Sequence, residues 1–282
     1  MAENYIVRRM VRPEIDTAIE WAAAEGWNPG LHDADCFFAT DPHGFFAGLV
    51  DDQIIAVGSA VRYDNHFAFC GFYIVASDFR GQGYGLKLTK KRLEYVGSRN
   101  AGIDGVTNML DKYARLGYKI AHNNARYEVA KLPSFPINHK AIKPIEPRHL
   151  PTLFDYDRQH FPAERPVFLK AWVNQPNSLS LVWIEDNEIK GYGVIRACRK
   201  GFKIGPLFAN TPAIADQLFQ ALANHAHGET VILDIPENNK HARALVGHYQ
   251  MEKVFETARM YLKGQPNLKD AQIYGITTFE LG

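Results

Sequence analysis

The sequence predicts an α/β protein with a mixed sheet, in which two similar α+β units follow one another along the chain. Runs rich in β-branched and aromatic residues alternate with amphipathic helical segments. A segment with four prolines, residues 133–147, divides the chain near its middle. The order of predicted elements before this segment recurs after it, and landmarks such as Asp104 and Asp234 repeat about 130 residues apart. We expect a first unit at residues 1–135, a linker at 136–147 and a second unit at 148–282.

The first unit opens with a predicted strand at residues 4–10. A helix follows from Arg12-Pro13, where the proline suits the first turn, and Gly26 can end it. Residues 27–41 carry turn signals at both ends, so we expect a loop there. Three strands in a meander then follow, with paired polar residues between them, at residues 45–50, 53–63 and 67–76.

The next feature is a turn with three glycines at alternate positions, in the stretch FRGQGYGLKL of residues 79–88. A β-run precedes it, and residues 84–96 have helical spacing. The first N–H groups of a helix have no partner within the helix, and with the helix dipole they attract an anion. Glycines allow a phosphate to approach the main chain, and Arg80 adds a planar set of donors. The turn therefore predicts a phosphate site; the alternative is a turn without a ligand.

The remaining elements of the first unit are a strand at residues 101–106, a helix closed by Gly117 and a strand at residues 126–132. The second unit repeats this order of elements. Its strands and helices are predicted within residues 191–207, 213–226, 229–235, 239–248 and 252–262.

The glycine turn fits neither the P-loop nor the dinucleotide-binding fingerprint, because the glycines and lysine stand at the wrong spacing. Arg-Gly-x-Gly-x-Gly directly after a strand ending in Val75 resembles the pyrophosphate loop of the GNAT superfamily of acyl-CoA N-acyltransferases. Asn108, Tyr113 and Gly117-Tyr118 match a second spacing of that superfamily. The resemblance covers about residues 5–130, and the second half is similar to the C-terminal half of two-domain members. It implies two GNAT-like units in tandem.

This resemblance implies an N-acetyltransferase that uses acetyl-CoA as co-substrate and needs no metal. The strand from Phe72 to Val75 would splay from its neighbour and pair with the pantetheine arm, with a main-chain N–H near Ile74 or Val75 facing the developing oxyanion. Tyr113 would protonate the departing thiolate as general acid. The residues expected to bind the coenzyme are Ile74, Val75, Arg80, Gly81, Gln82, Gly83, Tyr84, Gly85 and Asn108.

The acceptor site is expected in the loop at residues 27–41, where this superfamily usually builds it. Its carboxylates and aromatic side chains would suit a cationic or amphipathic amine, and we expect Trp27, Asp33, Asp35 and Phe37 to contact it. The general base is left open among Asp33, Asp35, Asp41, His32, His66 and a water relay. The second half offers further candidate acceptor contacts, each of which also suits a cap or surface charge: Asp155, Asp157, His160, Glu164 and Arg165.

The second unit is expected to be degenerate, so that the chain holds one active site. At positions 130 residues after Arg80–Gly85, residues 210–215 have neither the glycines nor the arginine, and Arg243 stands where Tyr113 would recur. The basic run Lys87, Lys90, Lys91 and Arg92 could meet the coenzyme's 3′-phosphate, but a solvated helix face explains it equally.

Composition excludes several other classes. A net charge of +1 predicts no nucleic-acid face, and three cysteines suit a reducing compartment. No apolar run approaches the roughly 20 residues of a membrane helix. We expect a cytoplasmic monomer or homodimer that acetylates a primary amine of a small molecule. The alternatives are a protein or peptide N-acetyltransferase and a non-catalytic acyl-CoA-binding sensor.

Overall fold

The computed structural model describes residues 4–137 and 139–282. The elements of the first half alternate between strands and helices, as the sequence predicts. They are β1 (Tyr5–Arg9), α1 (Arg12–Ala24), α2 (Asp33–Thr40), β2 (Phe45–Val50), β3 (Gln53–Ser59), β4 (Val61–Arg62), β5 (Phe67–Phe69), β6 (Ile74–Val75), α3 (Tyr84–Val96), β7 (Asn100–Val106), α4 (Leu110–Arg115) and β8 (Lys119–Val129).

The second half repeats this order from α5 onward. Its elements are β9 (Ile142–Pro144), α5 (Leu150–Asp157), α6 (Pro166–Trp172), β10 (Ser178–Glu185), β11 (Glu188–Ala197), β12 (Phe202–Ala209), α7 (Pro212–Ala223), β13 (Val231–Pro236), α8 (Lys240–His248), β14 (Glu252–Tyr261) and β15 (Ile273–Gly275). No helix of the described residues combines the length and the apolar character needed to cross a membrane.

Two sheets diverge inside the first half. A four-stranded sheet has the order β1-β2-β3-β6, and an eleven-stranded sheet runs β4-β5-β7-β14-β8-β13-β12-β11-β10-β9, with β15 added beside β12. The predicted strand at residues 67–76 is broken between them: β5 pairs with β7, whereas β6 pairs with β3. The break leaves one edge of β6 open towards β7, which creates a cleft.

The two halves exchange strands in both directions. β14 of the second half lies between β7 and β8 and is antiparallel to both. In turn β8 of the first half lies between β14 and β13, again antiparallel to both. Neither half therefore closes its own sheet.

Two buried ion pairs join the exchanged strands, and they repeat the internal symmetry. Arg259 on β14 pairs with Asp104 on β7, with a distance of 2.8 Å between Nη2 and Oδ2. Arg126 on β8 pairs with Asp234 on β13, with 2.7 Å between Nε and Oδ1. In each pair the two residues are also direct cross-strand partners. The repeated aspartates are therefore structural, as their recurrence suggests.

The largest apolar core also crosses between the halves. Phe37 of α2 stacks on Trp172 of α6, with ring centroids 6.1 Å apart, and meets Phe72 edge-on at 5.7 Å.

Local structure also differs from the predictions outside the broken strand. Residues 27–41 contain α2 instead of only a loop, because the turn signals at Asn28-Pro29-Gly30 and Asp41-Pro42 flank a helix. The last strand of the first half, β8, starts at Lys119, earlier than its pattern suggests. The expected linker contains β9, which pairs with β10.

Breaking one exchanged ion pair should destabilise the whole protein. Arg259→Met leaves the buried Asp104 carboxylate without its cation, which should lower the free energy of unfolding by about 3–5 kcal/mol in urea titrations. Lys91→Met, which removes an exposed pair with Glu94, is the control and should change it by at most about 0.5 kcal/mol. Equal effects of the two substitutions would contradict the assigned role of the pair.

Candidate active site

A cavity of about 1100 Å³ fills the cleft between β6 and β7. One wall is formed by β6 and the glycine turn, and the opposite wall by β7 and the start of α4. The second half supplies the remaining wall, through residues 253–257 of β14 and Phe279. Both halves therefore build this cavity.

The glycine turn has the backbone that an anion site requires. Gly81 and Gly83 have φ values of +80° and +86°, and no atom lies within 4 Å of where a Cβ would stand at either position. Gly83 precedes α3 as its N-cap. Within the described part of the chain, the main-chain N–H groups of residues 81–85 have no hydrogen-bond acceptor. Of these residues, Gly81, Gly83, Tyr84 and Gly85 line the cavity, so donors at a helix N-terminus are available there to an anion.

Arg80 is held across the open end of β6. Its Nε donates to the Val75 carbonyl oxygen at 2.8 Å, and its Nη2 forms an ion pair with Glu25 at the end of α1. The side chain is about half exposed, and both Arg80 and Glu25 line the cavity. The guanidinium is therefore oriented before any ligand arrives.

Tyr113 lies on the opposite wall, with its ring packed directly on β7. A Cβ at Gly105 would be 2.9 Å from Tyr113 Cδ2, so the absence of a side chain there determines the position of the ring. Burial raises the pKa of Tyr113 to about 12, while Arg92 opposes the shift. The phenol is therefore protonated at neutral pH and can donate its proton.

The structure brings most of the predicted coenzyme residues to this cavity. Its lining includes Ile74, Val75, Arg80, Gly81, Gly83, Tyr84, Gly85, Asn108 and Tyr113. Gln82 is not part of the lining, and its amide nitrogen donates to the Asp78 carbonyl oxygen at 2.9 Å.

The predicted acceptor residues are dispersed, and only Trp27 reaches the cavity. Asp33 is fully buried, and its carboxylate accepts hydrogen bonds from Arg196 of β11 and the Gly30 N–H. Asp35 is exposed and pairs with Arg12 at 2.6 Å, while Phe37 belongs to the apolar core. Three of the four predicted acceptor residues therefore lie outside the cavity, since α2 directs its carboxylates into the core and to the outer surface.

The candidate bases also lie elsewhere. His32, Asp41 and His66 do not line the cavity, and the Asp41 carboxylate instead accepts from the Tyr95 hydroxyl at 2.9 Å. None of the candidate contacts of the second half lines it either; Asp157 and Arg165, for example, form a buried ion pair. Of the basic run only Arg92 lines the cavity, where its Nε donates to the Ser59 carbonyl oxygen at 2.7 Å.

Sequence reasoning missed the wall from the second half. The cavity lining includes Lys253, Val254, Phe255 and Phe279. These residues are about 140 or more positions after Tyr113 in the sequence. No local pattern marks them, because strand exchange alone brings β14 beside β7.

The equivalent cleft of the second half is occupied by the chain itself. β15 pairs with β12, the counterpart of the β5–β6 strand, and the Ile276 N–H donates to the Asp234 carbonyl oxygen on β13 at 2.8 Å. Only residues 210–211 connect β12 to α7, whereas residues 76–83 connect β6 to α3. The second half therefore has no room for a glycine loop.

Comparison with known proteins places this geometry in a family. The acetyltransferase (GNAT) family model matches residues 12–118, and an acetyltransferase (GNAT) domain model matches residues 153–275. The holothin acyltransferase of Pseudoalteromonas sp. (strain SANK 73390) is 30% identical over 268 residues, which is 93% of this chain and 90% of that protein. The chain belongs to the GNAT acetyltransferase family. It is an acyltransferase with two GNAT domains in tandem, as the sequence predicts.

Solved structures of this family share the fold of the whole chain. A protein of Pyrococcus horikoshii, itself assigned as an acetyltransferase only by inference, superposes with a TM-score of 0.84 at 20% identity and covers 100% of this chain and 97% of its own. A tandem GNAT protein from the clavulanic acid biosynthesis pathway gives a TM-score of 0.63 at 11% identity, over 92% of this chain and 98% of its own. GNAT proteins generally take their acyl group from an acyl-CoA. The diphosphate of such a molecule is the anion expected at the glycine turn.

A side chain at Gly83 should lower the stability of the protein, because the backbone there is left-handed. Gly83→Ala places a Cβ on a residue at φ +86°, and should lower the free energy of unfolding by about 1 kcal/mol in urea titrations. Gly247→Ala in α8 is the matched control: it meets open space and should raise stability by about 0.5 kcal/mol. A Gly83→Ala variant as stable as the wild-type protein, or more stable, would show that the turn does not require glycine at this position.

Proposed function

We propose that the protein transfers an acetyl group from acetyl-CoA to a primary amine of a small molecule, at one active site in the cleft between β6 and β7. The observation that carries this proposal is that the glycine turn, with its unpaired main-chain N–H groups, and Tyr113 line the same cavity. The donors of residues 81–85 and Arg80 would hold the diphosphate, and the open edge of β6 would pair with the pantetheine arm. In this role acetyl-CoA supplies the activated carbonyl.

The amine attacks the thioester carbonyl directly, without an acyl-enzyme. A main-chain N–H near Ile74 or Val75 would stabilise the developing oxyanion. As the C–S bond breaks, its electron pair goes to sulfur, and Tyr113 donates the proton that turns the thiolate into a thiol. The proton lost by the amine restores Tyr113, so the products are an amide and CoA. The cavity would hold both substrates together, which accounts for much of the rate.

A small acceptor is favoured by the wall from the second half. Residues 253–256 and Phe279 lie along the cavity and narrow the surface on which an extended peptide could bind. The second half would serve as this wall, since its own cleft contains β15.

Charge reversal at Arg80 should weaken binding of the coenzyme. Arg80→Glu should raise the dissociation constant of acetyl-CoA by about tenfold or more in titration calorimetry, because an anion then faces the diphosphate. Arg199→Glu is the control, since Arg199 is also exposed and also pairs with a glutamate of α1, but does not line the cavity. Equal dissociation constants of acetyl-CoA for the two variants would show that the diphosphate does not bind at the glycine turn.

Loss of the Tyr113 hydroxyl should affect turnover more than binding. Tyr113→Phe should lower kcat by about 100-fold in an assay of thiol release, while the dissociation constant of acetyl-CoA changes by less than about twofold. Gly105→Ala should reproduce part of this loss, since the new Cβ displaces the ring. Unchanged thiol release by Tyr113→Phe would overturn the role of Tyr113 as general acid, and a wild-type protein that binds acetyl-CoA but acetylates no amine would be a sensor.

A further inference from the structure

The wall contributed by the second half presents apolar residues to the cavity. β14 contains a β-bulge between Lys253 and Phe255, and the residue at the bulge, Val254, is 47% exposed. A bulge redirects a side chain, and bulges are frequent beside active sites. Trp27, Phe255 and Phe279 line the same cavity. We call these four residues the apolar wall.

The apolar wall is supported from behind. The Arg126 guanidinium lies 5.8 Å from the ring centroid of Phe255 and 5.0 Å from that of Phe279, and also donates to the Trp27 carbonyl oxygen. Arg126 is itself fixed by its buried ion pair with Asp234. Three aromatic residues are thus positioned around one immobile cation, which suits recognition of a flat ring.

The carboxylates of the cavity are all engaged by cations. Within residues 4–137 and 139–282 its acidic lining residues are Glu25, Asp104 and Glu256, and they pair with Arg80, Arg259 and Lys253 respectively. The Asp104 side chain has no exposed surface, so this residue lines the cavity through its main chain. No free carboxylate is left there to hold a cationic amine.

The same described residues place no histidine on the cavity. An alkylamine is protonated at neutral pH and must lose a proton before it attacks, which normally requires a general base. An amine bonded directly to an aromatic ring is unprotonated at that pH, because its lone pair is delocalised into the ring. Such an acceptor needs neither a base nor a carboxylate for its charge.

We propose that the acceptor is a flat aromatic or heteroaromatic amine with its amino group on the ring, bound against the apolar wall of Trp27, Val254, Phe255 and Phe279. This inference rests on the proposed function and names its substrate class. The amine nitrogen forms a bond to the acetyl carbon, the C–S bond breaks, and the proton lost by nitrogen balances the one that the thiolate gains through Tyr113.

A matched pair of amines tests the substrate class. 5-Aminoindole and tryptamine share the indole body, but the amino group is on the ring in the first and on a flexible ethyl arm in the second. With acetyl-CoA near neutral pH, kcat/KM for 5-aminoindole should exceed that for tryptamine by about tenfold or more. Between about pH 6.5 and 8.5, kcat/KM should rise with pH for tryptamine and stay nearly flat for 5-aminoindole. Preference for tryptamine, spermidine or a lysine-containing peptide would overturn the proposal.

Substitutions at Val254 test the wall. Val254→Asp should raise the KM for 5-aminoindole by about tenfold and leave the KM for acetyl-CoA within about twofold. Val167→Asp on α6 is the control, because Val167 is 54% exposed and lies outside the cavity lining, and it should change neither value. An unchanged KM for 5-aminoindole in Val254→Asp would show that the acceptor does not bind against the apolar wall.

The two proposals fail in distinguishable ways. If calorimetry detects no binding of acetyl-CoA to the wild-type protein, the proposed function itself is wrong. If acetyl-CoA binds and another amine class releases CoA faster than 5-aminoindole, the proposed function stands and the inference about the acceptor is wrong.

Discussion

The candidate active-site cleft depends on a reciprocal exchange of strands that two buried ion pairs join. Asp104–Arg259 and Asp234–Arg126 each connect a strand of one half to a strand of the other, and each lies between direct cross-strand partners. A buried charge without its partner is costly, so both pairs favour this pairing and disfavour a shifted one. Because β14 is thereby located beside β7, the second half reaches the cavity.

The two halves share a framework and differ in what fills their clefts. Gly71 and Gly205 mark the same point of the strand, and at each the main chain of residues 276–280 approaches too closely to allow a Cβ. In the second half β15 then continues along β12 and closes the cleft. In the first half β6 turns away and its edge stays open. A long connection that contains glycines follows β6, whereas only residues 210–211 follow β12, so the candidate anion site lies at the open cleft.

Charge at the cavity is arranged to hold the protein together more than to serve an acceptor. Arg126 makes three kinds of contact. It neutralises Asp234, it packs against the rings of Phe255 and Phe279, and it donates a hydrogen bond to the Trp27 carbonyl oxygen. Burial raises the pKa of Asp104, and the Arg259 guanidinium opposes that rise. With these groups engaged, apolar contact and main-chain donors remain as the means of recognition, which is why the proposed acceptor is an uncharged ring.

By itself the sequence determined the fold class and the family, and it predicted the glycine turn as the coenzyme site, because each is written in contiguous residues. Three glycines after a strand must form an open turn, and the spacing from Asn108 to Tyr113 lies within one turn and helix. The proposed acceptor site, in contrast, depends on tertiary structure alone. Asp33 and Phe37 have the composition of a binding loop, but α2 directs them into the core, where Arg196 and Trp172 receive them. The residue pattern of a strand determines which of its side chains share a face, but it does not determine which strands lie beside it. Only the folded chain could therefore place Val254 and Phe255 opposite the glycine turn.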